Sequence, residues 1–367
     1  MADKIKVGVI GCGGIANGKH LPSLRKLKDK VEIVAFCDII VERAEKAKAD
    51  YGTKDAKVYK DYHALLRNPE IVAVHVCTPN RMHSPITVAA LNAGKHVICE
   101  KPMAINSKEA KKMLDAAKAN NRILTIGYQN RRTPEAQYLK AEADAGTFGE
   151  IYYAKATALR RRAVPTWGVF LNEYEQGGGP LIDIGTHSLD LTLWVMNNYK
   201  PKYCVGTAYH KLNNLPVEDQ GNSWGAWKPE DFTVEDAAFG FVVMENGATI
   251  NLESSWAINM LDTREATTLV CGTKAGGDLW NGVRINGVHN GRRFVNKPEF
   301  DGGGAAFYAG VSDGDPSAVE CAMFYRAIET GCEPSTLPEQ AYCVTRILEG
   351  IYTSAKTGKP FYFKNED

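Results

Sequence analysis

An apolar run, Lys6 to Ile10, passes without a break into Gly11-Cys12-Gly13-Gly14-Ile15-Ala16 and then into a segment of helical character. This G-x-G-x-x-A string constrains the chain more than any other feature, because it acquires meaning only inside a βαβ unit. That context is present: a second apolar run, Val31 to Asp38, follows the helix and ends in an acidic residue. In such a unit Gly11 permits the tight turn, Gly13 lets the backbone approach a pyrophosphate, and Ala16 is small enough for helix to pack closely on strand. Gly14 and Ile15 complete the turn, and the unpaired amides of the helix N-terminus face the phosphates. These residues predict a dinucleotide site. Asp38 is placed to accept hydrogen bonds from the adenosine ribose, and its charge repels a 2′-phosphate, which selects NAD over NADP. Arg43, about one helical turn on, stacks on the adenine, offers a cation to a 2′-phosphate and so restores NADP binding, or stays a solvated helix residue.

The rest of the first third repeats the same alternation. Strands are expected at Lys6 to Ile10, Val31 to Asp38, Ile71 to Thr78, His96 to Lys101 and Ile123 to Tyr128. Between them the Ala-rich, charged segments Glu42 to Tyr51, Asp61 to Arg67, Pro85 to Ala93 and Ser107 to Asn120 carry helical periodicity, the last opened by Ser107 as N-cap. Right-handed crossovers wind this order into a doubly wound parallel sheet with its ligand crevice at the strands' carboxyl ends. After about residue 125 the texture changes to period-two strands: Glu150 to Arg161, Lys202 to His210, Ala237 to Met244, Ala248 to Trp256 and Glu265 to Cys271, with Asn246-Gly247 as a tight hairpin turn. A large, predominantly antiparallel sheet with one open face fits this half. We therefore expect an α/β domain over residues 1–125 and an α+β domain over 126–367, with the helical segments Ser317 to Thr330 and Pro338 to Ala355 able to pack back on the first.

Charge and composition exclude other classes. Lys and Arg number 44 against 43 Asp and Glu, a formal net charge of +1, so no global field exists to hold nucleic acid or an anionic membrane. No stretch approaches the roughly 20 apolar residues of a membrane span, and the N-terminus does not read as a secretory leader; a cytoplasmic protein is expected. The nine cysteines are an odd number without Cys-x-x-Cys spacing, and the histidines are scattered, so neither a disulfide framework nor a metal site is expected.

Strand ends carry the remaining candidates. The run ending in Cys77-Thr78-Pro79-Asn80 brings Thr78 and Asn80 to where loops meet a dinucleotide, and His83 follows, either as a cofactor contact or as a packing residue. The next run ends in Glu100-Lys101-Pro102, and downstream stands Asp183-Ile184-Gly185-Thr186-His187. Together with the glycine string, these motifs resemble the Gfo/Idh/MocA family of sugar and polyol oxidoreductases, and the resemblance extends over nearly the whole chain. It implies a Rossmann domain, a larger open-faced sheet domain, bound NAD held in part by Glu100 and Lys101, an active site between the domains, and a homo-oligomer, dimer or tetramer, formed through the open sheet.

Oxidising a secondary alcohol needs a base for the hydroxyl proton and a cation for the developing alkoxide as hydride leaves. His187 suits the base, since imidazole titrates near neutrality, and Lys101 suits the cation. If Pro180 to Met196 is helical, Asp183 and His187 share a face at i,i+4, where Asp183 binds a neighbouring sugar hydroxyl or biases the charges of Lys101 and His187. Tyr128, Asn130, Arg161 and Trp167 are further substrate candidates, and Trp224 and Trp227 offer either an aromatic platform or interface packing. The expected function is NAD-dependent oxidation of a secondary ring hydroxyl of a sugar, cyclic polyol or glycoside, with glucoside C3 as one specific possibility. The alternatives are a redox-neutral hydrolase or lyase that recycles tightly bound NAD, and a non-catalytic NAD-binding sensor.

Overall fold

Continuous Val- and Ile-rich runs suit strands covered on both faces, and those of the first third pair as a wholly parallel sheet. The computed structural model describes residues 4–300 and 315–364. The chain divides into two compact units, Met1–Gln129 with Asp315–Tyr342, and Asn130–Gly314 with Cys343–Asp367.

The first unit holds β1 (Ile5–Ile10), β2 (Val31–Cys37), β3 (Lys57–Tyr59), β4 (Ala73–Val76), β5 (His96–Cys99) and β6 (Leu124–Ile126), in the spatial order β3-β2-β1-β4-β5-β6. This is the order of a doubly wound dinucleotide fold, with its switch point between β1 and β4. Five of the strands lie where the sequence places them. The short β3 was not anticipated, because three residues are too few to show a period. Val7, Val9, Ile33 and Phe36 of the sheet form one core with Leu21 and Leu24, and with Phe324 and Tyr325 of the helix Pro316–Thr330.

Two helix starts differ from expectation. Helix Ser107–Ala119 is capped by Asn106, whose Oδ1 accepts the Glu109 amide at 2.9 Å, so the cap falls one residue before Ser107. Helix Asn80–Asn92 begins before Pro85 and carries that proline inside it, although proline is disfavoured in helix interiors.

The second unit is built on a sheet of β7 (Ile151–Leu159), β8 (Pro201–Tyr209), β9 (Ala237–Met244), β10 (Thr249–Ser255), β11 (Thr267–Gly272), β12 (Ala275–Asp278), β13 (Arg284–His289), β14 (Arg292–Asn296) and β15 (Phe361–Tyr362). The order is β14-β13-β12-β11-β7-β10-β9-β8-β15, antiparallel throughout except for the parallel pair β7 and β10. The five longer strands match the period-two segments, and the hairpin between β9 and β10 turns at Asn246-Gly247, where the Gly247 amide donates to Met244 O at 2.9 Å. The strands β12 to β15 are short, Gly-bearing or polar, and gave no such signal.

Alternation sets the two faces. Ala154, Ala156, Ala238, Val242, Ile250 and Leu252 are buried, while Val205, Thr207, Phe241 and Glu253 stand on the opposite, partly exposed face. Among the described residues no helix is long and apolar enough to cross a membrane.

Candidate active-site residues

The glycine turn is fixed by sterics. Gly11 has φ +89°, and a Cβ there would stand 2.5 Å from the Cys77 carbonyl oxygen, so no other residue fits between β1 and the end of β4. By contrast, Gly13 and Gly14 have open space where a side chain would project. The turn thus leaves room for a ligand at the helix N-terminus. This helix opens with a wide π-helical stretch, Ala16–His20, before Leu21–Lys26 continues as an α-helix.

Asp38 is oriented by the turn itself. Its Oδ2 accepts the Cys12 amide at 2.8 Å and its Oδ1 the Ile40 amide at 2.8 Å, leaving further lone pairs for ribose hydroxyls. The neighbouring Ile39 is 79% exposed and Ile40 is 41% exposed, an apolar edge suited to an adenine ring. Arg43 is exposed on the helix beyond. At the end of β4, Thr78 Oγ1 is buried with no hydrogen-bond partner among the described residues, a polar atom suited to a ligand. The donor set, the open turn and this orphaned hydroxyl fit a dinucleotide.

Other members of the predicted cofactor set do different work. His83 is buried, with Nδ1 2.7 Å from Pro102 O and Nε2 2.8 Å from Thr78 O. Both ring nitrogens are engaged with backbone, so His83 joins the loop after β4 to the loop after β5 rather than offering a polar atom to a nucleotide. Glu100 is likewise turned inward: its Oε1 lies 2.7 Å from Lys19 Nζ and 2.7 Å from His20 Nε2, and its Oε2 accepts the Lys101 amide at 3.2 Å. Burial alone would raise the Glu100 carboxyl, but Lys19 and His20 outweigh it and hold the group well below the carboxylate range. Lys101 itself is only half-buried, as is Asn80 at the start of its helix.

In the second unit, Asp183 and His187 do lie on one helical segment, but it is not an unbroken α-helix. Leu181–Gly185 is π-helical and passes into the α-helix Thr186–Met196, so the angular offset between the two side chains differs from the simple i,i+4 value. Asp183 is buried and accepts the Trp256 indole N–H at 3.0 Å, while His187 is partly exposed.

A buried carboxylate, Glu235, caps this segment from β9's approach. It accepts the Gly179 amide at 2.8 Å, the Leu181 amide at 3.1 Å and the Tyr352 hydroxyl at 2.8 Å. The packing leaves no room for side chains: a Cβ on Gly178 would strike the Tyr352 hydroxyl, and one on Gly179 the Glu235 carbonyl. Burial pushes the Glu235 carboxyl up, partly offset by those donors. Sequence reading missed Glu235 and Trp256, whose partners lie 54 to 117 positions away and leave no local pattern.

The substrate candidates separate by burial. Tyr128 is 1% exposed, which places its ring in the interior, and Asn130 is half-buried in the short 3₁₀ turn Gln129–Arg132. Arg131 is buried and clamps Asp190 of the same helix as His187, with Nε to Oδ2 at 2.8 Å. Arg161 is exposed. Trp167, 52% exposed, and Trp224, 43% exposed, meet edge to face with centroids 5.0 Å apart, and Arg160 lies over Trp224. Trp227 is no platform: it is 2% exposed in a core with Phe232 and Trp256, its indole N–H donating to Asn213 O at 2.8 Å.

Comparison with known proteins accords with both halves. Residues 5–128 match a family model described as an oxidoreductase family with an NAD-binding Rossmann fold, and residues 136–276 match a GFO/IDH/MocA C-terminal domain. D-glucoside 3-dehydrogenase of Escherichia coli (strain K12) is 32% identical over 354 residues, covering 96% of each chain. Inositol 2-dehydrogenase of Salmonella typhimurium is 33% identical over 198 residues, and that match spans 53% of this chain and 56% of that protein. A solved structure of levoglucosan dehydrogenase in complex with NADH shares the fold, with a TM-score of 0.82 at 23% identity over 98% of this chain and 99% of that one.

Proposed function

The chain belongs to the GFO/IDH/MocA family of oxidoreductases, and from that membership we propose that it oxidises the C3 hydroxyl of a glucoside with NAD as hydride acceptor. It is an NAD-binding oxidoreductase of sugar or polyol CH–OH groups. The narrower substrate is supported by one observation above all, the end-to-end similarity to D-glucoside 3-dehydrogenase.

Bound NAD supplies the hydride acceptor. The Gly11–Ala16 turn and its helix amides would hold the pyrophosphate, Asp38 the ribose hydroxyls, and Thr78 and Asn80 the remainder. His187 takes the hydroxyl proton as the carbon–hydrogen bond breaks, and Lys101 donates to the oxygen on which negative charge develops. Asp183, held by the Trp256 indole, accepts a hydrogen bond from a neighbouring ring hydroxyl. In reverse, His187 returns the proton, so the same residues serve both directions.

Residues 1–125 carry the dinucleotide and residues 126–367 the substrate and self-association in this reading, with a homo-oligomer formed through the open sheet face and a cytoplasmic setting. Light scattering of the purified protein would show a mass above that of one chain.

The test of function is NADH formation with a panel of alkyl and aryl glucosides, free hexoses and inositols, with the product's ketone position assigned by NMR. A 3-keto glucoside is expected. No NADH from any glucoside, in protein that demonstrably binds NAD, would overturn the proposal.

A further inference from the structure

The first unit buries a chain of four polar side chains that proton and hydride movement at the substrate does not itself require. Glu100 Oε1 lies 2.7 Å from His20 Nε2, His20 Nδ1 lies 2.7 Å from His75 Nδ1, and His75 Nε2 lies 2.7 Å from the Tyr325 hydroxyl. All four are buried. They come from the helix after the glycine turn, from β4, from the end of β5 and from helix Pro316–Thr330, so the chain ties four separate elements together.

Its protons have a single consistent order. Burial pushes His20 below its ordinary value and His75 well below, so both rings are neutral at pH 7. Each neutral imidazole then has one N–H and one lone pair. The Glu100 carboxylate only accepts, so His20 carries its proton on Nε2 and presents a lone pair at Nδ1. His75 must answer with a proton on Nδ1, which leaves its Nε2 to accept from the Tyr325 O–H. Any other placement sets lone pair against lone pair, or hydrogen against hydrogen, at 2.7 Å. Other titratable groups around the chain include Lys19, 2.7 Å from Glu100 Oε1 and 3.4 Å from Glu320, together with Lys101, His83 and the thiols of Cys77, Cys99 and Cys321. Burial pushes all three thiols up, so none adds charge.

We propose that Glu100, His20, His75 and Tyr325 form a positioning chain for Lys101: their fixed proton order, beside the Lys19 ammonium on the same oxygen, orients the Glu100 carboxylate, whose Oε2 in turn holds the Lys101 amide at 3.2 Å. The inference rests on the role given to Lys101 above. Displacement of a reacting group by about 1 Å costs on the order of 100-fold in rate, so a backbone tether one bond from the lysine Cα is consequential.

The test uses the full-length protein, three variants of the chain and, as a control on the lysine, Lys101→Met. His75→Leu removes the donor to His20, and should lower kcat by about ten- to a hundredfold while leaving KM for NAD and glucoside nearly unchanged. His75→Gln carries a donor and an acceptor on one side chain, and should recover most of that loss. Tyr325→Phe removes a single hydroxyl, keeps the ring, and should lower kcat by a few-fold while mixing the two tautomers of His75. In the wild-type protein, nitrogen-15 NMR of the imidazoles should show His20 protonated on Nε2 and His75 on Nδ1. Wild-type kcat in all three His75 and Tyr325 variants, or the same tautomer on both rings, would overturn the proposal. Undiminished kcat in Lys101→Met would instead overturn the role of Lys101, and the NMR result separates the two failures because it needs no turnover.

Discussion

Trp256 donates its indole N–H to the Asp183 carboxylate at 3.0 Å, joining residues 73 positions apart in the chain. The tryptophan is wholly buried in a core of the second unit that includes Ile184 and Phe232, so the orientation of Asp183 is set from inside. Hydrogen bonds to charged groups contribute about 1.5–3 kcal/mol. Trp256→Phe, which keeps a ring but loses the N–H, should therefore lower kcat/KM by roughly ten- to a hundredfold. In a double-mutant cycle with Asp183→Asn the second change should cost little; fully additive losses would show that the bond does not act through Asp183.

Glu235 accepts two amides at the start of the Asp183 helix. Glu235→Ala would leave both buried amides unsatisfied, at about 1–3 kcal/mol each, and should lower the urea midpoint accordingly. Tyr352→Phe removes only the third hydrogen bond and should cost about 1 kcal/mol. Equal midpoints for Glu235→Ala and wild type would show that water replaces the carboxylate.

Asp38 occupies two amides that could otherwise receive an anion, those of Cys12 and Ile40. Asp38→Ser should weaken NAD binding by roughly tenfold or more and narrow the preference for NAD over NADP, because it removes both the ribose acceptor and the repulsive charge. Titrating NADH and NADPH fluorescence against both proteins measures this. An unchanged NAD affinity would remove Asp38 from the ribose site.

Acid should unfold the protein through its buried histidines. Burial lowers His20 and His83, and lowers His75 well below its ordinary value, whereas in the unfolded chain each protonates near about 6.5. Below that pH the unfolded state binds more protons than the native one, so stability falls as pH falls, by about 1.4 kcal/mol per unit for each suppressed ring. His96, pushed down to about 4 by burial and by Arg122, adds in the same direction. The Glu100 contribution, present above its unfolded value of about 4.5, is lost at lower pH still. Urea midpoints at about pH 7.5 and about pH 5.5 should differ clearly; identical midpoints would mean that the rings are already charged in the native state.

The sequence carried the architecture because its determinants are local. Gly11, Gly13 and Ala16 between an apolar strand and a helix, followed by Asp38, point to a βαβ unit, and β1 and β2 pair in parallel accordingly. Period-two burial in Ala237–Met244 and Thr249–Ser255 likewise announces a sheet with one covered face. The proposed site residues Lys101, Asp183 and His187 are read from short strings of the same local kind, beside predicted elements. Burial of Trp227 beside exposed Trp224 was not legible, since both lie in one loop of similar composition and only packing separates them.

What tertiary structure alone decided is the second layer around those strings. Glu235 over Gly179, Trp256 on Asp183, Arg131 on Asp190, and His75 between His20 and Tyr325 join residues 55 to 250 positions apart. A hydrogen bond between such residues has no sequence period, because it is set by which elements the core brings together rather than by the turn of one helix or the pleat of one strand. The chemistry of a strand end is therefore written locally, while the orientation that makes it usable comes from buried partners that only the folded chain assembles.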